Sequence, residues 1–303
     1  NKQTSIAILI AVLLIMIAVT FSIIGIRKSE QVAINERNKA LDAKNETIKM
    51  LNALKREEKA KMAMATKAAE RYLKSTKQAL YFKNYTKADE SIKTVWELGS
   101  HDKSIKIYYA YYLASMHQYN KAVEIFRNLP SHAESLSKIQ LIKDKPLLND
   151  LLKFADLILA NTNDRNLCGY FLSNCLDLKL SLDDKLQILK AEINKNTNDQ
   201  AYFKYSIQDG SIDLDISNSL SSYPGSMNKL NIKSLKLNKS RISRVEHLPW
   251  ATLEFLDISD TNISILKAAP KLKTLKMKNC IFKSFAGLEA MKKLESIDIR
   301  GVP

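Results

Sequence analysis

The residues able to do chemistry in this chain are few and scattered. Three cysteines (Cys168, Cys175, Cys280) and four histidines (His101, His117, His132, His247) are its only thiol and imidazole groups in 303 residues. None falls at a metal-ligand spacing. Cys168 and Cys175 stand seven apart in a helical-looking stretch. That separation is about 10 Å, too far for a disulfide, and no histidine stands beside them to complete a zinc site. All three cysteines read as free or buried thiols, with no disulfide framework of an oxidised secreted scaffold. The sequence holds no G-x-x-x-x-G-K-[ST], no G-x-G-x-x-G, no H-R-D and no D-F-G. It therefore predicts no catalytic, cofactor-binding or metal-binding residue within this chain.

The regular spacing belongs to charged and leucine residues instead. Ile232-x-x-Leu235-x-Leu237 recurs as Leu253-x-x-Leu256-x-Ile258, Leu272-x-x-Leu275-x-Met277 and Leu294-x-x-Ile297-x-Ile299, with Leu214-x-Ile216 a partial earlier copy. The ninth position is Ser219, Ser240, Thr261 and Cys280, each small enough to bond turn backbone from inside. This pattern resembles the leucine-rich repeat, which implies one short strand per repeat stacked into a parallel sheet on the concave side of an arc. The second position reads Lys233, Glu254, Lys273 and Glu295. The fifth reads Asp215, Lys236, Asp257, Lys276 and Asp298. Both alternate in sign, and strands about 4.8 Å apart would set each charge against an opposite one. Lys236–Asp257 and Asp257–Lys276 are expected to be close. The candidate protein-binding face is therefore Lys233, Lys236, Glu254, Asp257, Lys273, Lys276, Glu295 and Asp298. It largely neutralises itself, so nucleic acid is a disfavoured partner although the chain carries a formal charge of +15.

Upstream, Tyr85-Thr86-Lys87-Ala88 returns 34 positions later as Tyr119-Asn120-Lys121-Ala122, and Ile92 returns as Phe126. A small residue followed by a large apolar one suits the second helix of a hairpin, with Pro130 ending the second unit. The motif is similar to half of the tetratricopeptide repeat. The first-helix Trp-Leu-Gly positions are not matched, since Lys106, Tyr109 and Ala110 stand there. Tyr108, Tyr109, Tyr111 and Tyr112 point all round one helix, so inter-helix packing with hydroxyls at the rim is expected rather than base stacking.

The elements before these repeats place them at a membrane. Ile6 to Ile26 is a run of 21 uncharged residues, about 31 Å as a helix, enough for a bilayer core. It exceeds the apolar core of a signal peptide, and no A-x-A site follows. Residues 27–80 lack Gly and Pro and hold 14 basic and 7 acidic residues, which predicts a basic helical stalk able to meet anionic lipid headgroups. Ile34, Leu41 and Ile48 are seven apart, with Leu51 three further on. Arg37 and Lys44 occupy the matching positions, so a seam for pairing with a second copy is short and weak.

The expected fold class is α + α/β repeat. Residues 1–5 flank an upstream region, 6–26 form a single transmembrane helix, and 27–67 form the stalk. Residues 68–130 are tetratricopeptide-like α-hairpins, 131–202 are further helices, and 203–303 are leucine-rich repeats cut short at the end. This order of parts resembles the C-terminal half of bacterial membrane-anchored serine/threonine protein kinases. The resemblance implies a protein- or peptide-binding sensor region in signal transduction, with ATP and Mg required only through an upstream kinase domain. The alternative is a stand-alone membrane-tethered scaffold that recruits protein partners. Arg27, Lys28, Arg37, Lys39 and Lys44 follow the apolar run and only Lys2 precedes it. Read literally, this puts the repeats in the cytoplasm, whereas the resemblance puts them outside it.

Overall fold

The structure is a computed structural model that describes residues 2–99, 102–197, 202–223, 225–243, 245–282, 284 and 287–302. His101 lies outside them. The chain divides into two compact units, residues 1–65 and 66–303.

The first unit lies within α1 (Lys2–Tyr81), one helix of 80 residues. No glycine or proline interrupts it after Gly25, so nothing in its sequence breaks the hydrogen-bond ladder. Thr20 donates to the Met16 carbonyl at 2.7 Å, so its hydroxyl is satisfied inside the apolar stretch. Every described side chain from Ile8 to Met64 is exposed. Among the described residues α1 is the single helix long and apolar enough to cross a membrane, and its apolar stretch is a candidate span.

The second unit opens with helices: α2 (Tyr85–Gly99), α3 (Lys103–Ser115), α4 (Tyr119–Arg127), α5 (Ala133–Asp144), α6 (Leu148–Thr162), α7 (Arg165–Cys175) and α8 (Leu182–Thr197). The period of 34 is visible in the fold, since Tyr85 and Tyr119 both begin helices. Ala88, Ala122, Ile92 and Phe126 are all buried at the contacts. Gly99 lies where α2 passes both α1 and α3; an added Cβ would meet Ile105 Cδ1 at 2.3 Å and Ala69 Cβ at 2.8 Å. Asp102 and Asp164 accept the first amides of α3 and α7. The Tyr108 hydroxyl also donates to Asp164, at 2.7 Å. The α3 tyrosines pack between helices as expected, but their hydroxyls are not all at the rim. Tyr111 shares its hydroxyl with Ser135 and accepts from Asn161, and the Tyr112 hydroxyl is buried without a hydrogen-bond partner.

The remaining residues form a six-stranded sheet in chain order: β1 (Lys204–Gln208), β2 (Ser211–Asp215), β3 (Ile232–Lys236), β4 (Phe255–Asp257), β5 (Thr274–Lys276) and β6 (Ser296–Asp298). From β2 to β6 all pairs are parallel, a solenoid-like arrangement with Leu214, Leu235, Leu256, Leu275 and Ile297 in register. β1 departs from the expected repeat. It pairs antiparallel with β2 through Asp209 and Gly210, whose φ angles of 50° and 69° suit a two-residue hairpin turn. Tyr205 on β1 reaches back to α8, its hydroxyl donating to Asp183 at 3.0 Å. The hairpin thus covers the first edge of the parallel array.

Each turn after a strand places its eighth repeat position at positive φ: Asn218, Lys239, Asp260, Asn279 and Gly301. Asn, Asp and Gly tolerate the left-handed region, whereas Lys does so at a cost. Lys239→Gly is therefore expected to stabilise the protein by about 1 kcal/mol, read as a raised unfolding midpoint. The ninth-position side chains are buried as predicted. Thr261 donates to the Ile258 carbonyl at 2.7 Å, and the Cys280 thiol reaches the same carbonyl at 3.0 Å. Ser219 accepts from the Ser221 amide, while the Ser240 hydroxyl is buried without a hydrogen-bond partner.

Two hydrophobic cores result, one among the helices and one behind the sheet. Helix α8 contributes to both: Ile188 faces the helical core, while Leu186, Leu189 and Ile193 face the strand core.

Candidate protein-binding face

The parallel ladder fixes the charged rows. The amides of Glu254, Lys273 and Glu295 donate to the carbonyls of Lys233, Glu254 and Lys273 at 2.7–2.8 Å. This puts second-position residues of adjacent repeats side by side. Glu254 lies 4.0 Å from the Lys233 ammonium and 2.7 Å from that of Lys273. The Lys273 hydrogen bond and its charge hold the Glu254 carboxyl below its ordinary range, and the same contact raises Lys273. Glu295 adds to the field at Lys273. This row forms the alternating ladder that the spacing implies.

The fifth-position row is in register but behaves differently. Asp215, Lys236, Asp257, Lys276 and Asp298 are successive partners across the sheet. Among the described residues no ion pair joins them within 4.0 Å. Their aspartates turn to their own backbone instead. Asp215 accepts from the amide and hydroxyl of Ser217 (3.0 and 2.6 Å), and Asp257 accepts from the Ser259 amide (3.0 Å). Asp298 holds Arg300 in a two-pronged contact (2.9 and 2.7 Å) that draws its carboxyl down to about 2. An aspartate two residues before a turn amide closes a local ring, and a flexible lysine across 4.8 Å of exposed sheet competes poorly with it. Lys276 sits over the Phe255 ring, 5.5 Å from its centroid. The expected cross-strand attraction at Lys236–Asp257 and Asp257–Lys276 is thus adjacency of backbone without contact of charge.

The row is longer than the repeat spacing implied. Lys204 on β1 is the partner of Asp215, so the alternation runs over six strands. The sequence signal for it is Asp209-Gly210, a hairpin turn between two alternating segments. A depression of about 340 Å³ opens where β1, β2 and β3 meet, lined by Lys204, Ser206, Asp213, Asp215, Ser234 and Lys236 among others. Between the charged rows lie Ser234, Phe255, Thr274 and Ser296, so the face offers one aromatic ring among small hydroxyls. Glu254→Lys would convert the second-position row to three adjacent positive charges. Thermal unfolding of that variant is expected to shift down at low ionic strength and to recover at high salt.

The groups that could do chemistry are placed for packing. The three cysteines are free and buried; burial pushes the Cys168 thiol up to about 12 and raises Cys175 as well. His132 lies edge-on to Tyr111 and tilted against Phe126, His117 lies against Tyr119, and His247 against Tyr223. Among the described residues no three His, Cys, Asp or Glu side chains gather as a metal site. No family model, no curated protein and no solved structure matches this chain.

Proposed function

We propose that this chain is a membrane-anchored recognition arm. In this reading the residues 6–26 segment spans the bilayer, tetratricopeptide-like hairpins and leucine-rich repeats follow it, and a protein or peptide ligand binds across the exposed strands. The observation that carries the reading is the six-strand face itself. It is polar, ordered by backbone pairing, and presents Lys204, Lys236 and Lys276 beside carboxylates already engaged with their own turns. Such a face leaves Lys236 available to a ligand carboxylate or backbone carbonyl, while Lys204 lies over Tyr202 and Lys276 over Phe255. The order of parts supports the non-catalytic portion of a membrane-anchored serine/threonine protein kinase. A tethered scaffold differs from it in what is encoded before residue 1: G-x-G-x-x-G, H-R-D and D-F-G there would decide for the kinase.

Two measurements test the anchored reading. Deleting residues 6–26 is expected to move the protein from the carbonate-resistant membrane fraction to the soluble fraction, since some twenty apolar residues dominate insertion. Retention of the deleted protein would overturn it. Cys280 is buried and unsuited to surface labelling, so sidedness is read from Lys239→Cys with a membrane-impermeant thiol reagent in intact cells. Labelling places the repeats outside. For ligand binding, Lys236→Glu combined with Lys276→Glu is expected to abolish adducts formed by a photo-crosslinker at position 255. Unchanged adducts would remove the strand face as the binding site.

A further inference from the structure

The stalk carries a self-complementary stripe that the spacing of its apolar residues alone does not reveal. Helix α1 runs unbroken through residues 27–65, so positions three and four apart share a face throughout. Ile34, Leu41 and Ile48 are 46%, 55% and 45% exposed. Taking the next seam position three residues on gives Arg37 and Lys44, which spoil it. Taking it four residues on gives Asn38, Asn45 and Asn52, all exposed. The run Ile34-Asn38-Leu41-Asn45-Ile48-Asn52 alternates by four and three, the spacing of a two-stranded seam with apolar d and asparagine a positions.

Three asparagines at one heptad position specify their occupant. An amide has both donor and acceptor, so two copies of the same asparagine satisfy one another across a two-fold axis. Against an apolar partner each would be buried without a hydrogen bond. Only a second, parallel, in-register helix puts asparagine opposite asparagine at all three levels. Flanking charge agrees at one level: in a parallel pair Arg37 faces Asp42 of the second copy, one heptad onward. At the next level Lys44 faces Lys49, which weakens the pair. Two chains anchored in one bilayer are already parallel and confined, and that raises their effective concentration.

We propose that residues 34–52 form a short parallel, in-register two-stranded coiled coil with a second copy of this chain, paired through Asn38, Asn45 and Asn52. The proposal rests on the anchored reading for orientation and confinement alone.

The test is a cysteine scan of the full chain in lipid vesicles, one substitution at a time, oxidised with copper phenanthroline. The native cysteines are buried and stay in place. Disulfide-linked dimer is expected at Asn38→Cys, Leu41→Cys, Asn45→Cys and Ile48→Cys. It should be lower by roughly tenfold at Glu36→Cys and Ala43→Cys on the opposite face, because the bond needs Cα atoms within about 7 Å. Adding Asn38→Asp, Asn45→Asp and Asn52→Asp to Leu41→Cys is expected to abolish the dimer at neutral pH. Equal yields on both faces, or no dimer at any position, would overturn the pairing; the second result fits a stalk lying on the lipid surface. Flotation of the same vesicles reads the anchor separately. A chain that does not float is concentrated in solution and scanned there, where the same seven-residue periodicity must appear.

Discussion

Glu192→Ala is expected to cost about 3–5 kcal/mol and to uncouple the helices from the sheet. Glu192 lies on α8, the helix shared by both cores, and is fully buried. The Ser226 amide donates to its Oε2 at 3.0 Å, and the hydroxyls of Tyr223 and Ser226 donate to Oε1 at 3.0 Å each. Alanine would leave these donors facing a void. The loop that supplies them has little room to collapse, since Gly225 passes so close to α8 that a Cβ would meet Leu189 Cδ1 at 2.7 Å. The network extends outward: Ser226 meets Ser173 at 2.6 Å, and Lys229 donates to the Ser173 carbonyl and to Asp177. From the helical side Lys83 lies over the Tyr223 ring, 4.3 Å from its centroid. The two tryptophans read the halves separately. Trp96 stacks on Tyr109 among the helices, and Trp250 is buried in the strand core. In single-tryptophan variants the two fluorescence transitions should coincide with Glu192 present and separate with alanine there. Coincident transitions in both would refute the coupling.

The same site gives a pH dependence with a definite sign. Burial pushes the Glu192 carboxyl above its ordinary value, opposed by the Lys83 charge and by its Ser226 and Tyr223 donors. Burial raises Tyr85 and Tyr223 as well, and the Glu192 charge adds to the rise. The unfolded chain releases this proton near the ordinary value of 4.5, while the folded chain holds it to higher pH. The contribution to stability is therefore full below that value. It is lost as pH rises from there through the folded-state pKa. Glu192→Gln keeps an acceptor for the Ser226 amide but cannot ionise. It should flatten this part of the profile, as checked by urea titrations in detergent micelles across the acid-to-neutral range.

Phe154→Ala is the second large effect, about 3–5 kcal/mol, confined first to the helices. Phe154 on α6 is fully buried. Its ring lies 5.6 Å from Tyr111 and 5.3 Å from Phe171, and Tyr111 in turn lies 5.0 Å from Phe126. Four rings from α3, α4, α6 and α7 thus form one chain of contacts, and deleting Phe154 removes a tilted ring partner from both Tyr111 and Phe171. With Glu192 present both tryptophan signals should shift together; in the Glu192→Ala background, where the transitions are separate, the Trp96 signal should shift to lower denaturant by more than the Trp250 signal. Equal shifts in that background would mean that the two cores melt as one.

The sequence was most informative where one physical rule acts along the chain. An uncharged run of 21 residues without proline favours one helix, so a helix is legible from Ile6 to Ile26, inside the longer Lys2–Tyr81 helix. The strand spacing is equally plain, because an apolar side chain such as buried Leu235, Leu256 and Leu275 recurs once per stacked turn. The period of 34 that relates Tyr85 to Tyr119 is legible as well, and the structure adds that each begins a helix. Across the chain, legibility declined. The fifth-position charges were placed in the right register, yet each aspartate had a nearer donor in its own turn than the lysine across the sheet. Sign alternation cannot tell those partners apart. β1 escapes the repeat spacing because it is not a repeat, and its signal in the sequence is the Asp209-Gly210 turn.

Amino-acid order by itself therefore determined the apolar helix, the helical period and the register of the parallel strands. All three follow from local periodicity and the need to bury one face. Tertiary structure alone decided that α8 serves two cores and that Glu192 is buried between them. It also decided that the three cysteines are buried and that His117, His132 and His247 lie against aromatic rings. Those facts depend on which surfaces meet after the chain has folded back by dozens of residues, and no spacing rule encodes that.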